Sequence, residues 1–154
     1  MEAGTVKAVT VKTSTVKTST AATNTVKEIP AVGKTHWVVA EGFIPSASTT
    51  HGKGPEFESH EALCVLNTSS QEAHLELTVF FTDRDPVGPY RFSVAPRRSK
   101  HIRMNALTDP APIPKDTEYS SVMISDTPIV VQHTRLDSRQ AELALMSTIA
   151  FGSD

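Results

Sequence analysis

A single cysteine, Cys64, rules out an intramolecular disulfide. It sits in the apolar run Ala62–Leu66, so it is expected to be a small buried hydrophobe rather than a reactive thiol. A chain without a disulfide framework fits a reducing compartment, and the cytoplasm is the expected location. Nowhere do roughly 18 apolar residues run together, which excludes a helical membrane span. The N-terminus lacks the apolar core of a secretory signal. The net charge of -2, with 21% charged residues, excludes a global polyanion binder. Catalytic templates are missing as well: there is no G-x-S-x-G, no Walker A loop, no dinucleotide fingerprint and no C-x-x-C. Histidines 36, 51, 60, 74, 101 and 133 never fall in an H-x-H or H-x-x-x-H pair. No catalytic residue, metal site or cofactor is expected, and the chain reads as a non-enzyme.

What is present divides into two unlike parts. From Thr5 the chain repeats as TVKAV, TVKTS, TVKTS, TAATN, TVKEI, with nothing large to bury. A period of five matches neither strand nor helix, so no apolar face emerges. Residues 1–34 are therefore expected to be a disordered, low-complexity tail. The tail carries five lysines against Glu2 and Glu28, whereas 35–154 carries ten basic and fifteen acidic residues. A basic tail on an acidic domain leaves nucleic acid, a membrane, the domain itself or a plain solvated spacer open.

The folded domain is expected over 35–154, built almost wholly of short strands. Strand patterns fall at 35–43, 60–67, 73–82, 90–95, 99–104, 119–125, 129–134 and 145–151. In 73–82 the residues His74, Glu76 and Thr78 alternate with Leu75, Leu77 and Val79, the period-two signature of a half-buried strand. Prolines at 110, 112 and 114 make 107–114 an extended loop. About eight strands with turn signals between them predict an all-β fold, an antiparallel β-sandwich or barrel. Residues 138–144 read as a short helical turn capped by Asp137. The last strand is apolar at most positions, so it is either central or covered by another subunit.

Two polar concentrations stand out. After the apolar Ile129-Val130-Val131 come Gln132, His133, Thr134, Arg135, Asp137, Ser138 and Arg139, a strand that leaves the core for a pocket, an interface or a capped turn. Donors and acceptors on Gln132, His133, Arg135 and Asp137 suit hydroxyls or carboxylates; an Arg135–Asp137 ion pair fixing the loop is the structural alternative. Trp37 is either a core residue or an apolar platform for a sugar-like ligand. The second concentration is basic. If 90–95 and 99–104 form a hairpin with Arg91 across from His101 or Arg103, then Arg91, His101 and Arg103, with Arg97, Arg98 and Lys100 near the turn, make a docking surface for an acidic protein, phosphates, a carboxylated ligand or nucleic acid. Pairing with the acidic strand around Glu76 is the alternative.

The segments WVVAEGFIP, SHEALCVLN, DRDPVGPYRFSVAPRRSKHIRMN, LTDPAPIP and PIVVQHTRLDSRQAELALMSTIAF closely resemble the sensory rhodopsin transducer family, over residues 36–151. The resemblance implies an antiparallel β-sandwich protomer of jelly-roll or carbohydrate-binding-module-like type in a homotetramer, without catalysis, acting in the cytoplasm as the partner of a membrane sensory rhodopsin. It also brings two alternatives, binding of small, sugar-like molecules and binding of DNA. Glu41, His60, Glu61, Asn67, Gln132, His133, Arg135 and Asp137 match the family's polar motif positions and are the ligand-binding candidates that it implies.

Overall fold

A computed structural model describes residues 27–47, 54, 57–139 and 144–154. The eight described strands are β1 (Lys34–Phe43), β2 (His60–Asn67), β3 (Ala73–Phe81), β4 (Val87–Val94), β5 (Arg98–Arg103), β6 (Glu118–Asp137), β7 (Ala144–Ile149) and β8 (Phe151–Ser153). All pairings between them are antiparallel. One layer runs β4-β3-β6-β1-β8. In the other, β2 lies between β5 and the second half of β6, which pairs on its far side with β7.

Strand β6 belongs to both layers and organises the molecule. Its odd-numbered residues from Tyr119 to His133 are all buried, so one face of a single strand lines the core of both layers. Pairing with β3 ends at Ser125 and pairing with β2 begins at Val130. Between these points the strand turns from one layer into the other. Ser125 fixes the turn: its Oγ donates to the Thr127 carbonyl (2.6 Å) and accepts from the Thr127 amide (3.2 Å). Two expected strands, 119–125 and 129–134, are thus one continuous strand. Pro128 does not break it, because a residue without an N–H suits the stretch where neither layer pairs regularly.

The core lies between the layers. Leu75, Leu77, Val79, Tyr90, Val94, Trp37 and Met123 face Leu63, Val65, Ile102 and Val131, with Ile44, Met104, Leu107 and Ile113 filling the ends. Each large side chain fully buried here contributes about 1.5–3 kcal/mol. Trp37 is a core residue, its Nε1 donating to the Lys34 carbonyl (3.0 Å). Cys64 is free and only half-buried: with Leu63 and Val65 inward, period two turns it to the outer face.

Several expectations are corrected. The basic segment is not a hairpin: β4 pairs with β3, β5 with β2, and the turn at Pro96–Arg97 carries the chain between layers. Arg91 therefore faces Glu76 across β3 (3.0 Å), not His101 or Arg103. Strand β4 begins at Val87, ahead of the predicted Tyr90; Pro89 falls in a register irregularity on this edge strand. The last strand is two: β7 pairs with β6, β8 pairs with β1, and buried Ala150 joins them through its amide to the Val131 carbonyl (3.1 Å). Among the described strands, both pieces lie at edges rather than in the centre. Most of the expected tail, and most of the expected helical turn, lie outside the described residues. Where the tail joins the domain the chain is pinned: Thr68 Oγ1 accepts from the Val32 amide (2.9 Å) and donates to the Pro30 carbonyl (3.1 Å).

Candidate functional site

Tyr119 and Arg135 are sixteen residues apart on β6, roughly 50 Å in a straight strand. Both hydrogen-bond the same carboxylate, that of Glu61. The turn at Thr127 lies midway between them, so the two arms of β6 face each other and their far ends meet at the open end of the sandwich. Glu61 arrives on β2, where alternation with Leu63 and Val65 aims it inward and leaves it fully buried.

The carboxylate is surrounded by donors. Arg135 Nε lies 2.5 Å from Oε1, the Phe43 amide 3.0 Å and His133 Nε2 3.5 Å. Tyr119 Oη donates to Oε2. Burial alone would push the Glu61 carboxyl up. Bonds from His133, Tyr119, the Phe43 amide and Arg135 outweigh burial and hold it below the ordinary carboxylate value. The Tyr119 hydroxyl is driven far up by burial and by the neighbouring negative charge, so it stays a donor. Burial works against the Arg135 charge, but Glu61 and Glu41 more than restore it. Arg135 Nη1 reaches the exposed Glu41 (3.2 Å), while Nη2 is buried without a hydrogen-bond partner among the described residues. The group ties β1 and the start of β6 in one layer to β2 and the end of β6 in the other.

A cleft of about 530 Å³ opens beside this clamp, between β1–β8 and β7. Glu41, His133, Arg135 and Thr148 supply its polar lining, and Val39, Met146 and Phe151 are among the apolar residues. The strands that flank it are bare: Leu145 is 69% exposed, Ile149 61% and Phe151 71%.

Of the expected ligand residues, Glu41, Glu61, His133 and Arg135 converge here, and four do not. His60 points away and bonds the Glu58 carbonyl through Nδ1 (2.8 Å). Asn67 is a buried brace at the other end of β2, donating to the carbonyls of Gln71 (2.7 Å) and Val94 (3.0 Å). Gln132 lies on the outer face and donates to Ser147 Oγ (2.5 Å). Asp137 holds Arg139 through a pair of 2.5 Å, which leaves Arg135 to Glu61 and Glu41 and overturns the Arg135–Asp137 pair. Tyr119 was missed. A tyrosine in register with buried positions must place its hydroxyl on a partner, and Glu61, a lone carboxylate in an apolar strand, was the available acceptor. The basic candidates are split between the layers: Arg91 on β4 pairs with Glu76, whereas Arg97, Arg98, Lys100 and Arg103 lie at the start of and along β5, with Lys100 reaching the Ser93 carbonyl (3.1 Å).

Among the described residues, a buried ionic group braces the two layers of the sandwich beside a cleft and an exposed apolar edge. Residues 32–152 match the family model described as Anabaena sensory rhodopsin transducer, and the chain belongs to that family. The solved structure of an Anabaena sensory rhodopsin transducer is 55% identical, covering 72% of this chain and 95% of that one, with a TM-score of 0.63. A structure described as Thermotoga maritima 1070 is 34% identical, covering 79% of this chain and 96% of its own, with a TM-score of 0.67. No curated protein matches the chain. Among the described residues no helix is long and apolar enough to cross a membrane.

Proposed function

We propose that this protein is a cytoplasmic, non-catalytic transducer that receives the state of a membrane sensory rhodopsin by direct protein–protein contact and works as a homotetramer. The observation that carries the reading is the family match across the whole described domain, together with a relative at 55% identity described as such a transducer. Among the described residues β7 pairs with β6 alone, and the exposure of Leu145 and Ile149 on β7 and of Phe151 on β8 supports assembly through this side. An apolar edge strand of this kind is a template for pairing with another chain. Titrating the protein against its host's detergent-solubilised sensory rhodopsin should give saturable binding that changes on illumination. An absence of binding in both light and dark would sink the receptor role. In light scattering the wild type should weigh four chains, and Ile149→Glu with Phe151→Glu should yield a smaller, folded species. A variant that stays tetrameric removes β7–β8 from the assembly.

A second reading draws on the cleft. The buried, unpartnered Nη2 of Arg135, the exposed Glu41 and the apolar walls favour a small ligand with hydroxyl or carboxylate groups, such as a sugar or sugar acid. Thermal-shift screening against those compounds should give hits that Glu41→Gln weakens without lowering the unliganded melting point. Hits indifferent to Glu41→Gln, or none at all, count against the cleft.

A further inference from the structure

We infer that the end of the sandwich where the N-terminal segment joins the domain docks on anionic phospholipid. A groove of about 450 Å³ lies there, lined by Lys27, Ile29, Leu66, Thr68, Arg97 and Arg98 among others. Ile29, Val32 and Leu66 are exposed, and Val32 is held at this place by the bond from its amide to Thr68. Basic residues surround the three. Lys27, Arg97 and Arg98 are exposed and line the groove with Ile29 and Leu66, and exposed Lys100 follows on β5.

The cations have no acidic partner among the described residues: Lys100 donates only to the Ser93 carbonyl (3.1 Å). Among the described residues no carboxylate lies within ion-pair distance of Lys27, Arg97, Arg98 or Lys100, whereas Arg84, Arg91, Arg135 and Arg139 each have one. The Arg97 and Lys100 side chains lie at a turn and an edge, and Arg98 Nη1 merely donates to the Arg97 carbonyl (2.9 Å). Glu28 is the acid on the same segment and lines a neighbouring depression with Arg97. On a domain with fifteen acidic and ten basic residues, such a band is local rather than a product of overall charge. The sequence preceding Lys27 adds Lys7, Lys12 and Lys17 against Glu2, and it enters the domain at this end.

Exposed aliphatic residues decide between polyanions. A phosphodiester backbone gains nothing from Ile29, Val32 or Leu66, and the groove has no aromatic ring on which a base would stack. An anionic bilayer uses both components: headgroup phosphates meet the cations, and the aliphatic side chains enter the boundary with the acyl region. The docking needs no receptor and stands apart from the rhodopsin reading.

Co-flotation of the full chain with lipid vesicles tests it. Vesicles of phosphatidylcholine mixed with phosphatidylglycerol should carry the protein, and pure phosphatidylcholine should not. Salt at about 1 M, where the Debye length is about 3 Å, should release it. Arg97→Asn with Arg98→Gln should weaken binding about thirtyfold, about fivefold per arginine. Asparagine keeps the positive φ of 54° at position 97. Lys27→Gln, outside the strands, should weaken it about fivefold with the fold untouched. Ile29→Ser with Leu66→Ser should weaken binding while leaving its salt dependence unchanged. Equal flotation with neutral lipid, or none with anionic lipid, overturns the inference. So does tighter binding to duplex DNA that ignores the Ile29 and Leu66 changes, which would assign the face to nucleic acid.

Discussion

Glu61→Ala should lower stability by about 3–5 kcal/mol, a fall in melting temperature of roughly 10–20 °C. The cost comes from what remains. Arg135 would be left partly buried, with only the exposed Glu41 to answer its charge, and the Tyr119 hydroxyl and Phe43 amide would lose their acceptor. Tyr119→Phe removes one hydrogen bond to a charged group and should cost less, about 1.5–3 kcal/mol. The isostere Glu61→Gln separates charge from shape and adds a pH readout. The wild-type carboxyl is held below its ordinary value of 4.5. A depressed carboxylate contributes stability that is complete above the unfolded-state value and is lost as pH falls through the folded-state value. Wild-type stability should therefore decline below about pH 4.5 more steeply than that of Glu61→Gln. Chemical denaturation across that range measures both effects. An alanine variant within about 1 kcal/mol of wild type, or parallel pH curves, would show that the sandwich is not clamped at its open end.

The clamp also explains which parts of the molecule could be read from sequence. Strand patterns are local, so the alternation of His74, Glu76 and Thr78 against Leu75, Leu77 and Val79 was legible, and the buried and exposed faces of β3 follow it. Pairing is not local. Arg91 and Arg103 flank one turn and look like hairpin partners, yet nothing in the intervening residues records that the chain changes layers there. The strand pattern alone suggests the sandwich and the polar run alone points to His133 and Arg135, while the family resemblance adds Glu41 and Glu61. The resemblance adds Asn67 with the same weight, although Asn67 only braces the turn after β2. Motif membership does not separate a residue that serves the fold from one beside a cleft. Tyr119 escapes notice for a further reason: its partnership with Arg135 depends on β6 doubling back, and 119–125 and 129–134 read from the sequence as two separate strands.

That doubled strand makes the second large prediction. Gly33→Ala should cost about 3–5 kcal/mol, although position 33 is exposed and lies just outside β1. The backbone there has a φ of +120°, which residues with a side chain rarely adopt. A methyl group at that position would stand 1.8 Å from the Ile129 carbonyl oxygen and 2.2 Å from its carbon. Those atoms are backbone, so no rotamer change relieves the overlap. The contact falls immediately after the turn of β6, where Lys34 pairs with Ile129 and the two layers separate. Relief requires moving β1 away from β6 or opening the turn, and either shift propagates to the far ends of β6. Gly42→Ala supplies the contrast. Its methyl would meet the Tyr119 ring, 2.4 Å from Cε2, and a side chain can yield where a carbonyl cannot. The expected order of destabilisation is therefore Gly33→Ala above Gly42→Ala, with only the second acting directly on the Tyr119–Glu61 bond. Melting curves of the two variants give the order, and the acid-range denaturation used for Glu61 shows which one alters its titration. A Gly33→Ala protein as stable as wild type would mean that β1 does not press on the turn of β6, and that the turn is held by Ser125 and the core alone.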